Sequence, residues 1–223
     1  MNSIISNERI LAHRGLWKKN SEKNNLNSLI KALEKGFGIE TDIRDFHSNI
    51  IISHDPPQKN SESFYLESLL EYYCINKCNS FLALNIKSDG LGEELIKLIN
   101  SYEINRYFIF DMSIPELIKN KKYKLNQFCR SSEFEDPKKL LIYSQGVWVD
   151  KFNGLSYKIE ELKQTIEAFP CAAIVSPELH GSSIMQSKID WQTIKQICTS
   201  NESEKPIYLC TDFPEDSYEF FNG

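Results

Sequence analysis

A (β/α)8 barrel is the fold this sequence predicts, and three observations predict it. Short β-rich runs alternate with helix-like segments along the chain of 223 residues. Several of those runs are continuously apolar, such as Phe81-Leu82-Ala83-Leu84 and Ala172-Ala173-Ile174-Val175, as strands covered on both faces of a parallel sheet are. Their number is eight. No G-x-G-x-x-G follows the first run, which disfavours the rival, an open doubly wound sheet with a dinucleotide site.

Taken in order, the predicted strands are residues 9–13, 38–43, 81–87, 107–111, 127–130, 146–150, 172–176 and 206–211. Helix-like segments lie between them at 25–35, 65–76, 92–102, 114–121, 136–143, 157–169 and 188–200. Leu162, Ile166 and Phe169 fall at helical spacing, as do Ile189, Ile194 and Ile197. Each helix follows one strand and precedes the next, which is the rhythm of repeated βα units. A last helix around 215–221 is cut short. After the second strand, residues 44–49 read as a hairpin turn into a further run, Ile50-Ile51-Ile52-Ser53, a small ribbon that ends at His54-Asp55. With no long linker, low-complexity tract or composition shift, residues 1–223 are expected to form one compact domain.

Composition excludes several function classes. The chain carries 26 Lys and Arg against 31 Asp and Glu, a net charge of −5, and so lacks the basic footprint of a nucleic-acid binder. A locally positive pocket for a phosphorylated ligand remains compatible with that balance. No apolar run is long enough for a transmembrane helix, and the first nine residues lack the basic and apolar regions of a secretory signal, so a cytoplasmic protein is expected. The six cysteines show no C-x-x-C pairing, and reduced thiols in the core explain them better than a metal or redox site.

In a barrel of this kind, functional groups gather where the strands end at their carboxyl side. The first predicted strand ends in His13-Arg14-Gly15. The second carries Glu40 and Asp42 at i,i+2, hence on one face. Two carboxylates forced together repel unless a proton or cation sits between them, and a hard divalent ion with oxygen ligands is the natural resolution. Asn85 and Lys87 are again i,i+2 on the third strand, and His54 closes the ribbon. Cations for an anion, together with two groups that move protons near neutral pH, are the parts phosphoryl chemistry uses. An ion pair of Glu40 and Asp42 with Arg14 or Lys87, with no metal, is the plainer alternative.

These residues resemble the glycerophosphodiester phosphodiesterase family. The resemblance rests on His13-Arg14-Gly15, an Asn-containing helix start, Gly36, Ile39-Glu40-Thr41-Asp42-Ile43 and His54-Asp55, extended by Leu84-Asn85-Ile86-Lys87. It covers residues 9–55; beyond residue 90 only the strand–helix rhythm continues it. It implies a (β/α)8 barrel that hydrolyses glycerophosphodiesters with one bound divalent cation, calcium or magnesium, and leaves open whether the substrate is a small phosphodiester or a phosphodiester-linked glycan. By the same resemblance, His13 and His54 are the acid–base pair, Glu40 and Asp42 are metal ligands, and Arg14 and Lys87 bind phosphate. A substrate hydroxyl would attack phosphorus while one histidine takes its proton and the other protonates the leaving alkoxide. Two departures stand out. Asn85 occupies the position of a further family Glu, so its amide oxygen would be the third, uncharged ligand. The stretch 56–80 is short and would leave the pocket open.

The second half of the chain supplies further candidates at strand ends: Arg130, Glu133, Asp150, Glu178, His180 and Asp212. Glu133 could replace the missing carboxylate or pair with Arg130. Trp17 is expected at the mouth of the site, Trp148 in the barrel core, and His47 in an exposed turn. Two rivals to hydrolysis remain open at this level: a lyase that stops at a cyclic phosphate, and a barrel that binds a phosphodiester without turning it over.

Overall fold

The computed structural model describes residues 3–57, 63–200 and 205–223. The eight predicted runs are all strands: β1 (Ile10–His13), β2 (Gly38–Phe46), β5 (Leu82–Ile86), β6 (Tyr107–Phe110), β7 (Phe128–Ser131), β8 (Gly146–Val149), β9 (Ala172–Val175) and β10 (Ile207–Thr211). Two further strands, β3 (Asn49–Ile52) and β4 (Phe64–Tyr65), follow β2. Parallel ladders join β6 to β5, β5 to β2, β2 to β1, β1 to β10, and onward through β9 and β8 to β7. The remaining seam, β6 to β7, has no continuous ladder. A single parallel bridge, Ile109 to Gln127, spans it, with the Ile109 N–H donating to the Asn126 carbonyl at 2.8 Å.

Strand alternation sorts the core into two layers. Leu11, Ala83, Phe108, Phe110, Phe128, Trp148, Ala173, Val175, Tyr208 and Cys210 fill the barrel interior. Phe108 stacks on Phe128 at 3.9 Å between ring centres, and Phe110 on Trp148 at 3.7 Å. Trp148 is thus a core residue, as expected. The alternate residues, among them Ile10, Ile39, Leu82, Leu84, Ile174 and Leu209, face outward against the helices. Each buried aromatic contributes about 1.5–3 kcal/mol by leaving water, so the ring stack closes the interior with apolar surface.

The helices that cover the barrel are α1 (Leu26–Glu34), α2 (Leu66–Ile75), α3 (Gly92–Ser101), α4 (Ile114–Asn120), α5 (Ile159–Ala168), α6 (Ile184–Thr199) and α7 (Pro214–Asn222). Capping fixes several starts: the Asn25 side chain accepts from Asn27 N–H, Ser113 from Glu116 N–H, and Ser183 from Gln186 N–H. The Ser183 cap begins α6 four residues before the expected start. Its buried stripe runs through Ser187, Trp191, Ile194 and Ile197, while Ile189 lies off that stripe and is exposed. One predicted helix is a 3-10 helix, Pro137–Tyr143, in which only Pro137 is buried. Leu140, Leu141 and Tyr143 pack against the core only half-buried, so little apolar area is gained that would draw the segment into α geometry. The last helix runs from Pro214 to Asn222 and is tied back to the start of the chain, because the Asn222 side chain accepts from Ile4 N–H at 2.7 Å and donates to the Ile5 carbonyl at 2.9 Å.

The ribbon forms as expected but tighter. β2 continues to Phe46 and turns at His47 and Ser48, both at positive φ (45° and 65°), the geometry of a two-residue hairpin turn that matches strand twist. His47 is exposed there. β4, which the sequence did not announce, pairs with β3 through Ile52 and Phe64 and carries the chain into α2. All six cysteines are free. Among the described residues no helix is long and apolar enough to cross a membrane.

Candidate active site

Inward positions change character as each strand approaches its carboxyl end. Leu11 gives way to His13, Gly38 to Glu40 and Asp42, Ala83 to Asn85 and Lys87, Phe128 to Arg130, Trp148 to Asp150, and Cys210 to Asp212. The polar groups therefore converge on one face of the barrel, above the aromatic plug.

The turn after β1 is built for close approach. Gly15 has φ +89°, and a Cβ on it would lie 2.5 Å from the carbonyl carbon of Ser28 in α1, so only glycine fits. Arg14, also at positive φ (58°), donates its N–H to the Glu40 carbonyl at 2.8 Å. Such a conformation costs a non-glycine residue roughly 1–3 kcal/mol, so the turn is held by its surroundings. It aims the Arg14 guanidinium at Asp42, with Nε 2.8 Å from Oδ2.

His13 is anchored through one ring nitrogen. Nδ1 lies 2.6 Å from Asp212 Oδ1, and Nε2 lies 3.9 Å from Glu40 Oε2. With Asp212 ionised, Nδ1 carries hydrogen and Nε2 is left to exchange a proton. Asp212 is positioned in turn by Glu178, whose Oε1 accepts the Asp212 N–H at 3.1 Å and the Thr211 hydroxyl, while Oε2 accepts the Ser176 hydroxyl. Glu178 is thus a buried support behind Asp212. Trp17 packs beside His13: its indole N–H donates to the His13 carbonyl at 2.9 Å, and the Lys23 ammonium lies 4.1 Å over its ring.

Glu40 and Asp42 are fully buried, at 1% and 0% exposure. Asp42 has three partners: Arg14, Lys87 with Nζ 3.2 Å from Oδ1, and the Asn24 amide donating to Oδ2 at 2.7 Å. Burial alone would raise its pKa, but Arg14, Lys87, the Asn24 hydrogen bond and the nearby His54 outweigh that and lower it. Glu40 has no cation of its own. Burial first, and the Asp42 charge second, push its carboxyl up to about 7. Its one donor is the Asn85 amide, at 3.2 Å from Oε1.

That leaves Glu40 Oε2 and Asn85 Oδ1 buried without a hydrogen bond, and Asp42 Oδ1 with only the Lys87 ion pair. Three oxygens from three neighbouring side chains suit a hard divalent cation. Among the described residues no group of three or more His, Cys, Asp and Glu side chains could hold a metal. The donor set fits a cation as two carboxylates and an amide, one negative charge short of three carboxylates.

His54 lies on the ribbon beside this cluster. Its Nδ1 is 2.9 Å from Asp55 Oδ1, its carbonyl accepts from Arg44, and its side chain is 48% exposed. It shares a groove with Arg14 and Asn24.

Across the mouth the outcome differs from expectation. Arg130 does reach the site, but Glu133 does not hold it. The Arg130 guanidinium pairs with Glu135 and, through Nη1, with Asp111 Oδ1 at 3.0 Å. Glu133 is exposed and accepts the Phe152 N–H at 3.2 Å, while Glu135 takes the place beside Arg130. Asp111, which closes β6 with φ 68°, also lies 3.9 Å from Lys87 and so links the two halves of the mouth. Asp150 binds His180, with Nε2 2.6 Å from Oδ1, and this hydrogen bond raises the pKa of the histidine. Asp111, Asn24 and Glu135 were not singled out from the sequence. Asp111 carried a signal, since it is the last residue of its predicted strand; Asn24 and Glu135 carried none outside their loops.

No family model matches this sequence, and no curated protein matches it. Solved structures share its fold. A Galdieria sulphuraria protein assigned as a glycerophosphodiester phosphodiesterase superposes with a TM-score of 0.73 at 17% identity, over 99% of both chains. A glycerophosphodiester phosphodiesterase from Parabacteroides distasonis gives 0.66 at 16% identity, over 97% of this chain and 98% of its own. An Oleispira antarctica phosphodiesterase, solved with its product sn-glycerol-3-phosphate, gives 0.63 at 14% identity, over 95% of this chain and 96% of its own. The likeness establishes the barrel fold, including the parts of the chain beyond residue 90.

Proposed function

We propose that residues 1–223 form one catalytic barrel, a phosphodiesterase that uses one divalent cation, calcium or magnesium, to hydrolyse a glycerophosphodiester-type substrate. The observation that carries this reading is the donor set at the ends of β2 and β5: buried Glu40 and Asn85 oxygens without partners, next to Asp42 gripped by Arg14 and Lys87. The shared fold with phosphodiesterases, one of them solved with sn-glycerol-3-phosphate, supports it.

Glu40, Asp42 and Asn85 would hold the cation, which when bound supplies Lewis-acid polarisation of the phosphoryl oxygens. Arg14 and Lys87 neutralise the rest of the phosphate charge. A hydroxyl of the substrate attacks phosphorus and gives its proton to one histidine, and the leaving alkoxide takes a proton from the other. Water then opens the cyclic phosphate with the two histidines in exchanged roles, and the products are an alcohol and a phosphomonoester. His13 is suited to this by its Asp212 anchor, which fixes the orientation of the ring. His54, half exposed, lines the same groove as Arg14 and would carry the other proton.

Phosphorus NMR of glycerophosphocholine incubated with the protein and calcium or magnesium tests the reading. A growing phosphomonoester resonance is expected. A cyclic phosphate that persists as the end product would assign the protein as a lyase, and an unchanged diester would leave a binding barrel.

A further inference from the structure

We propose that Asp111 is a positioning residue for the cation site: it holds the nitrogen end of the Asn85 amide, so that the oxygen is the end offered to the cation. The inference rests on the reading of Glu40, Asp42 and Asn85 as cation ligands and assigns the residue that makes an amide serviceable among them.

An amide poses a problem that a carboxylate does not. Both ends of a carboxylate are oxygen, whereas an amide ends in one acceptor and one donor of nearly equal size, so packing alone does not choose between them. Only the oxygen end can bind a hard cation. The amide nitrogen of Asn85 donates to Glu40 Oε1 at 3.2 Å, and its Oδ1 is buried without a hydrogen bond. Glu40 is itself a proposed ligand, however, so its oxygens are not reserved for the amide. The amide nitrogen has a second hydrogen to give, and an acceptor outside the donor set would keep the side chain from turning over.

Asp111 stands in that place. Phe110 faces the interior and pairs with Asn85 in the β5–β6 register, so a straight continuation of β6 would turn residue 111 outward to the helices. Asp111 instead has φ 68°, a conformation that aspartate adopts more readily than most residues. Its carboxylate meets the mouth from there: Oδ1 accepts from Arg130 Nη1 at 3.0 Å, and Oδ2 lies 3.9 Å from Lys87 Nζ. Burial raises the Asp111 pKa, and Arg130, Lys87 and a hydrogen bond from the Asn85 side chain oppose that rise. Arg130 is gripped in turn by Glu135, so Asp111 is fixed from the rim of the barrel and not from the donor set. The negative charge that Asn85 lacks thus stands on the neighbouring strand, where it acts through the amide.

Calorimetric titration with calcium compares the native protein, Asp111→Gly, Asn85→Glu and the variant carrying both substitutions. Glycine removes the carboxylate and is at ease at positive φ. Calcium affinity is expected to fall about 10–100-fold in Asp111→Gly, the usual loss when the partner that orients a ligand is removed. In the Asn85→Glu background both ends of the side chain are oxygen, and the same substitution should change affinity by less than about threefold. Asp111→Asn, which keeps the shape of the side chain and also suits positive φ, is carried through the same comparison with the same direction expected, so that a misfolded glycine variant does not decide the outcome. Unchanged affinity in these variants of a protein that binds calcium removes the Asp111 assignment alone. An equal loss in both backgrounds also removes it, because charge without orientation would then account for the effect. A native protein that binds no calcium overturns the calcium reading of the site and this inference with it.

Discussion

Glu40 and Asp42 stand two residues apart on β2, both fully buried, and their surroundings drive the two carboxyls in opposite directions. Asp42 keeps its charge because Arg14 and Lys87 meet it at 2.8 and 3.2 Å. Glu40, with an amide for its nearest donor, is raised to about 7 by burial and by the Asp42 charge. A strand that places an unpaired carboxyl beside a paired one has a site ready for a second positive charge.

The cost of that readiness is measurable. The folded pKa of Glu40, about 7, lies above its ordinary value of 4.5, so the favourable protonated form is fully present below pH 4.5. As pH rises through 7 the buried carboxylate must ionise, and stability is lost. Glu40→Gln is therefore expected to stabilise the chelator-treated protein at pH 8 by about 1–3 kcal/mol and to change little at pH 4.5. Thermal unfolding at the two pH values checks this. A destabilised variant at pH 8 would contradict it.

Asn85→Glu adds the charge that the donor set lacks. Calcium affinity by calorimetry should rise at least tenfold, while the Tm of the metal-free protein falls because a second carboxylate then faces Glu40. Unchanged or weaker affinity would show that Asn85 takes no part in holding the cation.

Asp212→Asn keeps the shape of the His13 anchor but removes its charge and frees the ring to take the wrong tautomer. The kcat should fall by about 10²–10⁴ with little change in KM, as loss of a histidine-orienting carboxylate does elsewhere. Native-like kcat would place the working histidine elsewhere.

Gly15→Ala tests the turn that aims both His13 and Arg14. At φ +89° with a Cβ 2.5 Å from Ser28, the variant is expected to lose about 2–4 kcal/mol of stability in urea unfolding. A loss within experimental error would show that the turn can relax away from α1.

The barrel was legible because its strands are buried on both faces. Runs such as Phe81–Leu84 have no polar side to confuse the pattern, and the structure moves their ends by only a residue or two. The β2–β5 half of the site was legible for a related reason: charged residues at i,i+2 on otherwise apolar strands, Glu40 with Asp42 and Asn85 with Lys87, stand out. The opposite rim was not. Arg130 is held by Glu135 through a tight turn in which Ser132 and Glu135 bridge, a local geometry that spacing does not reveal, and so Glu133 looked equally suited. The 3-10 segment Pro137–Tyr143 has helical composition but only a half-buried apolar side, Leu140, Leu141 and Tyr143, which only the packed structure shows.

The central claim is that this site is a metal-dependent phosphodiesterase. Its most direct test is hydrolysis of glycerophosphocholine, which carries the attacking hydroxyl, by chelator-stripped protein, then with calcium, magnesium or manganese added, alongside His13→Ala with the same fold by circular dichroism. The account predicts no turnover when stripped, recovery with a divalent cation, and loss of that recovery in His13→Ala. Turnover indifferent to chelation, turnover retained without His13, or a folded native protein inactive with every cation would contradict it.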